Sequence, residues 1–442
     1  MLARKFFPRT RTTILIAMSI CMPMFAAHSF ASSPVEKTLH RFSGFPDGSY
    51  PETALVADKA GNLYGTTLGG GSDAACSCGT VFELSPPANP SGAWSETVLY
   101  SFKGNPTDGA QPYGTLIFDK QSNLYGTTVT AGEVNGTGTV FELSPPANPG
   151  GAWTETLLYN FPPDQSQGAQ PSGKLAFEGV GNLYGTTLVG GTSPSHTPLA
   201  GGGGTVFQLK PPATPGGAWT EKLLYTFGSV ANGGLNPIAG VSFHAGALYG
   251  TTAEGGSGSH GTVFQLVPKN GSWTESILYN FTGSNGANPN GTLVLDDAGN
   301  LYGITINGGF SDQVHCVGGC GTVFELSPSA VAGGAWQETT LYTFNGGAYG
   351  GKPIGGVIRD KLNNLYGTAS GGGDHGTAYR LSPPATAGGR WTPSLLHTFH
   401  GRAAGDGASP WGELILFNGT FYGTTASGGG IANVGTVFSV TR

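Results

Sequence analysis

Apolar and polar positions alternate in short runs along most of the chain, and the runs are of four recurring kinds. The first is a brief apolar run such as Thr115-Leu116-Ile117-Phe118, whose missing polar alternation predicts a strand buried on both faces. It leads into a turn such as Asp58-Lys59-Ala60-Gly61-Asn62 or Asp296-Asp297-Ala298-Gly299-Asn300, where Asp can bond nearby backbone and Gly or Asn can take a positive φ. The second run is Leu-Tyr-Gly-Thr-Thr and the third is Gly-Thr-Val-Phe-Glu-Leu, both rich in β-branched and aromatic residues. A Pro/Gly loop, for example Pro86 to Pro90, then leads to a fourth run such as Trp153 to Phe161. The pattern predicts short strands throughout and no long helix.

The second and third runs recur seven times. Tyr-Gly pairs stand at Tyr64, Tyr125, Tyr184, Tyr249, Tyr302, Tyr366 and Tyr422, and Gly-Thr pairs follow at Gly79, Gly138, Gly204, Gly261, Gly321, Gly376 and Gly435. Copies are 53 to 65 residues apart, enough for one four-stranded blade and too long for a β-helix coil. The seventh copy has no fourth run after Gly435 to Arg442. That run lies at the other end, where Glu36 to Phe42 aligns with Glu155 to Phe161. A ring shared between both ends leaves no open strand edge. The fold expected is therefore all-β, a seven-bladed β-propeller with four-stranded blades whose last blade is closed by an N-terminal strand, with residues 32–442 as one domain.

These Leu-Tyr-Gly-Thr-Thr, Gly-Gly and Gly-Thr-Val-Phe-Glu-Leu segments resemble the GloVer tandem repeat, a family of exported bacterial β-propeller-like proteins, over nearly the whole chain. The resemblance implies a surface or secreted β-protein and brings no active site to transfer. Members often end in an anchoring segment; none is read here, which favours a free secreted protein. A kelch-like propeller is the nearest alternative, but the order of its Gly, Tyr and Trp residues fits less well.

Composition agrees. Gly is 77 of 442 residues, far above the usual ~7%, and charged residues are only 10%. Aromatics at 11%, recurring at fixed places, argue against disorder. Residues 1–31 read as a cleaved signal peptide: Arg4, Lys5, Arg9 and Arg11, an apolar run from Ile14 to Ala27, then Ser29-Phe30-Ala31 as a small-x-small cleavage site. Its removal takes four of the 20 basic residues and none of the 26 acids, leaving a formal charge of −10, so no nucleic-acid partner is expected. No membrane span is expected either, and the chain is read as a monomer. In an exported protein the clusters Cys76-Ser77-Cys78 and Cys316 to Cys320 read as local disulfides. Each offers only two sulfur ligands, and His260 and His375 fall in blades that are not adjacent, so neither a metal nor a cofactor is expected.

Residues present in every copy read as blade-building parts. Glu96, Glu155, Glu221, Glu275 and Glu338 share one position of the fourth run and read as polar strand residues rather than catalytic acids. Function is expected where copies differ. The connection between blades carries a Gly three residues before a Pro, from Gly48 and Pro51 to Gly407 and Pro410. Blades seven, one and two, neighbours in the closed ring, place Asp406, Asp47 and Asp108 before that Gly and Trp411, Glu52 and Tyr113 after the Pro. The other copies have Ser172, Ile238, Asn290 and Ile354 after the Pro. This sector predicts a site of stacked aromatics and carboxylates for an extracellular ligand such as a glycan. The function expected is a non-enzymatic binding or structural one; the alternative is a carbohydrate-active enzyme, a glycoside hydrolase or lyase, using carboxylates at the channel mouth.

Overall fold

A computed structural model describes residues 34–441, apart from 90, 105–106, 132–135, 149, 180, 192–201, 215, 312–315, 332 and 387. The segment read as a signal peptide therefore lies outside the described residues, and so do parts of the two longest second-to-third-strand loops, at 188–203 and 306–320. Among the described residues there is no α-helix, and none of their helical segments is long and apolar enough to cross a membrane.

Seven antiparallel sheets form the blades. Blade one runs outward through Val56–Ala57, Leu63–Thr67, Thr80–Ser85 and Ser95–Ser101. The second strands of blades two to six are Leu124–Ala131, Leu183–Thr187, Ala247–Thr252, Leu301–Asn307 and Leu365–Gly371. Blade seven is Ile415–Phe417, Thr420–Thr425, Thr436–Thr441 and, outermost, Val35–Arg41. That last strand pairs Val35 with Thr441 and Arg41 with Thr436, around one bulge between Thr38 and His40. The N-terminal strand thus closes the ring, as the alignment predicts.

Each repeated residue has a packing reason. Tyr64 lies opposite Glu83 and Gly65 opposite Phe82. The Tyr64 hydroxyl donates to Asp58 of the preceding turn (3.3 Å), and Tyr125, Tyr302 and Tyr366 do the same to Asp119, Asp296 and Asp360. A Cβ at Gly65 would lie 2.6 Å from Cζ of Phe82, so only glycine lets that ring cover the second strand. The second Thr of the Leu-Tyr-Gly-Thr-Thr run bonds the Thr of the Gly-Thr pair, as in Thr67–Thr80 and Thr187–Thr205 (both 2.8 Å). Gly79 has φ +95°, and a Cβ there would meet Cδ of Pro112 in the next blade at 2.6 Å. The Gly-Thr pair and the Pro of the following connection are therefore two halves of one inter-blade contact.

The core is divided among seven apolar clusters, one between each pair of neighbouring blades. Between blades one and two it contains Tyr64, Val81, Phe102, Leu116, Leu124 and Phe141. Phe102, just past the outer strand, meets Phe141 of the next blade edge-on at 5.1 Å, and Phe42 and Phe82 repeat the contact across the closing seam. Six of the seven tryptophans brace the same seams: Trp94, Trp153, Trp219 and Trp273 lie against Tyr422, Tyr64, Tyr125 and Tyr184, while Trp336 and Trp391 join the seam clusters. Cys76 is joined to Cys78 and Cys316 to Cys320, with Cα atoms 5.1 and 4.9 Å apart.

Candidate functional site

The connections from one outer strand to the next inner strand share a backbone that orients the residues around the axis. The residue before each Pro is left-handed in all seven copies: Tyr50, Gln111, Gln170, Asn236, Asn288, Lys352 and Ser409 have φ between 53° and 58°. Its N–H donates to the preceding blade, from Tyr50 to the Val434 carbonyl and from Gln111 to that of Cys78 (both 2.7 Å). With the connection clamped this way, the residue after the Pro is turned to the axis. Glu52, Tyr113, Ser172, Ile238, Asn290, Ile354 and Trp411 together line a narrow axial cavity of about 80 Å³. Blades seven, one and two thus bring Trp411, Glu52 and Tyr113 to one mouth, and Trp411 is the one tryptophan outside the inter-blade bracing among the described residues.

Burial pushes the Glu52 carboxyl up to about 7. Burial, and then the charge of Glu52, pushes the Tyr113 phenol up to about 12. Tyr50, two residues before Glu52, is 46% exposed. It belongs to the same loop and was not singled out by the sequence, where its position reads only as the residue before the Pro.

The three aspartates do something else. Asp108 is buried and takes hydrogen bonds from the Tyr100 hydroxyl (3.0 Å) and from the N–H groups of Lys103 (2.9 Å) and Gly109 (2.7 Å). Asp47 accepts from the N–H groups of Ser43 (2.9 Å) and Gly48 (2.7 Å) and faces His40. Asp406 accepts from the N–H groups of His400 (2.8 Å) and Gly407 (2.6 Å) and faces His397. Burial alone would raise Asp47 and Asp406, but the facing histidines and these N–H donors hold both carboxyls below the usual range. They staple the connections, and none of the three lines the axial cavity.

One step further along the inner strands, Lys174 and Glu413 occupy the position filled by Ala54 in blade one and Thr115 in blade two. Burial pushes Glu413 up to about 7, against the charge of Lys174. This pair also lines a wider cavity of about 620 Å³ on the opposite face of the ring, with Arg359, Asp360, Lys361 and Leu416. The signal for it is present in the sequence, three residues after each Pro.

A profile of the Gloeobacter/Verrucomicrobia repeat matches residues 28–214, 149–330 and 314–442. The chain belongs to the Gloeobacter/Verrucomicrobia repeat family. It is the family expected, under the short form GloVer, from the repeat itself. No curated protein matches the sequence significantly. Among solved structures, this member of the Gloeobacter/Verrucomicrobia repeat family is similar to a polysaccharide lyase, an ulvan lyase bound to a GlcA–Rha3S saccharide, at 12% identity and TM-score 0.48, covering 88% of this chain and 90% of that one. It is also similar to a 6-phosphogluconolactonase candidate from Bacteroides uniformis, at 14% identity and TM-score 0.46, covering 77% of this chain and 88% of that one. A glucose dehydrogenase candidate from Thermus thermophilus gives 18% identity and TM-score 0.42, over 76% and 94%. Likenesses this distant carry no argument about activity.

Proposed function

We propose that this propeller is a secreted, non-enzymatic binding module that holds a neutral extracellular ligand, a glycan in first place, over the axial mouth formed by blades seven, one and two. One observation carries the reading: of the seven residues that follow the connection prolines, the two aromatics and the one carboxyl come from three adjacent blades and share one mouth. Everything else that repeats is used by the fold. A cavity of about 80 Å³ is below the ~300–1,000 Å³ of enclosing ligand sites, so the ligand caps the mouth and stacks on Trp411 and Tyr113. A Glu52 carboxyl protonated near neutrality donates a hydrogen bond to a sugar oxygen without an unpaired charge.

A glycan array with the chain lacking residues 1–31 tests it. Binding that falls more than tenfold in the Trp411→Ala, Tyr113→Ala double variant, with an unchanged melting temperature, supports this mouth. Binding that survives there but is lost in Arg359→Ala, Lys361→Ala, two residues that line only the wider cavity, places the ligand on the opposite face.

A second reading, a carbohydrate-active enzyme, is favoured by one feature: Glu52 and Glu413 line one passage with both carboxyls pushed up to about 7, a range suited to proton donation. The Tyr113 phenol, at about 12, is a poor base for a lyase. Product release from a polysaccharide panel, abolished by Glu52→Gln, would replace the binding reading with this one.

A further inference from the structure

We propose that two histidine–carboxylate clusters on either side of the outer strand of blade seven, His40–Asp47–Glu96 and Glu36–His397–Asp406, are binding sites for a divalent transition ion, zinc in first place, and that the ions fasten the ring at its closure.

One position of the outer strand, two residues before its terminal Phe, sets two blades apart from the rest. In blades one to five it is Tyr100, Tyr159, Tyr225, Tyr279 and Tyr342; in blades six and seven it is His397 and His40. All seven rings pack edge-on against that Phe, with centroids 4.7 to 5.3 Å apart. Packing is therefore served equally by phenol and imidazole. What the two histidines add is a ring nitrogen of a type that ligates metals.

Each imidazole faces two carboxylates. His40 Nε2 lies 3.3 Å from Asp47 Oδ2, and His397 Nε2 lies 3.0 Å from Asp406 Oδ2. Glu96 joins the first pair from the outer strand of blade one, and Glu36 joins the second from blade seven. In each cluster the nitrogen and the two carboxylate oxygens lie within 4.8 Å of one another. Zinc bonds of ~2.0–2.2 Å set ligand atoms roughly 3.3–3.5 Å apart in a tetrahedron, so small side-chain rotations complete the set and leave a fourth position for water. The ordering is already built: Asp47 Oδ2 takes the N–H of Ser43 and Asp406 Oδ2 that of His400, outer contacts that fix a ligand's orientation.

The glutamates are alike in burial and differ in what faces them. Oε1 is buried without a hydrogen-bond partner among the described residues in Glu96, as it is in Glu155, Glu221 and Glu275 of the blades that carry tyrosine. What is particular to blade seven is the facing group: Tyr225 donates a hydroxyl to Glu275 Oε2 at 2.6 Å, whereas beside Glu96 stands the His40 imidazole, turned to Asp47. Two carboxylates are thus held together around one imidazole, and a divalent cation is the group that neutralises such a set.

Both clusters draw on the same strand. Val35–Arg41 gives Glu36 to one and His40 to the other, so two bound ions would tie it to blade six on one side and blade one on the other. Binding to the closed ring alone raises its stability by mass action.

The test uses the chain without residues 1–31 and without a histidine tag, stripped with chelator, given zinc and desalted. Elemental analysis is expected to find two zinc ions per chain, one in His40→Tyr or His397→Tyr, and none in the double variant. Tyrosine is the resident of this position in five blades, so the double variant should melt within a few degrees of the stripped wild type. Zinc should raise the wild-type melting temperature by several degrees, reversibly with chelator, and leave the double variant unmoved. Glu36→Gln with Glu96→Gln, nearly isosteric, gives an independent loss of zinc should the tyrosine rings fail to pack. A wild-type chain that retains no zinc, or a zinc content that survives both double variants, overturns the proposal.

Discussion

Gly65 and Gln170 carry opposite kinds of backbone constraint, and substitution separates them. A methyl at Gly65 enters the space of the Phe82 ring and of Leu55 Cδ2, 2.6 and 2.8 Å away, and the ring is held by the neighbouring seam. Overpacking of this kind costs about 1–3 kcal/mol, so Gly65→Ala should lower stability by about 2 kcal/mol in a denaturant titration. Gln170, with φ 58°, holds a left-handed conformation that costs a non-glycine residue about 1–2 kcal/mol. Gln170→Gly relieves that strain while loosening the unfolded chain, and the two effects should leave stability nearly unchanged. The candidate site was legible at this scale only in part. Trp411, Glu52 and Tyr113 are visible because they break a sevenfold pattern at one alignment position. Asp47, Asp108 and Asp406 break it too, but each gives Oδ1 to the N–H of the following glycine and none lines the axial cavity, a difference in direction that no residue pattern shows. Lys174 and Glu413 stand one step along the same alignment, and only the geometry of the inner strands shows that this step still faces the axis.

At the scale of the element, the outer strand of blade seven is the most exposed to test. Its partner Thr436–Thr441 has Thr420–Thr425 on one side and Val35–Arg41 on the other, so removal of residues 34–42 bares a row of backbone groups. The deletion also removes Phe42, which is buried in the seam against Phe82. Aggregation, or a clear fall in melting temperature, is the expected outcome; unchanged melting and solubility would show that the strand is dispensable. The cysteine pairs make a second test of the element order. Cys76 and Cys320 belong to blades one and five, across the ring, and a disulfide needs Cα atoms within ~7 Å. Non-reducing peptide mapping should find the 76–78 and 316–320 links and no cross-link between the clusters. The strands themselves are legible because each motif residue has a local task. The bulge in the closing strand is not: it recurs at the equivalent residue of the outer strand in every blade, and no break in the apolar pattern marks it.

For the whole molecule, the half-buried and buried carboxyls make stability depend on pH in a stated direction. Burial pushes the Glu52, Glu155, Glu221 and Glu413 carboxyls up to about 7, from 4.5 for the free group. The folded chain therefore holds protons that the unfolded chain has released, and stability falls as the pH rises through that interval. Asp47 and Asp406, held low, act oppositely and lose their contribution as the pH falls through and below 3.8. In chelator-containing buffers the melting temperature should be higher at pH 5 than at pH 8, and Glu155→Gln with Glu221→Gln should flatten the difference. A melting temperature that rises over the same interval would count against these raised carboxyls. Ring architecture is legible from the sequence at this scale because the repeat count, the missing seventh outer strand and the spare N-terminal strand can be read together.

The pairing of Val35 with Thr441 joins residues 406 apart in the chain, whereas every other blade is completed within its own repeat. Six blades can therefore form as the chain is made, in order, from contacts of short range. The seventh waits for the last strand to emerge and then for one long loop closure, whose entropy grows only slowly with length but must be met before any contact rewards it. During that interval the first strand to be synthesised is the last to find a home. A neighbouring molecule in the same state offers it an identical berth, so folding at high concentration should give linked dimers through exchanged first strands, and dilution should restore the single ring.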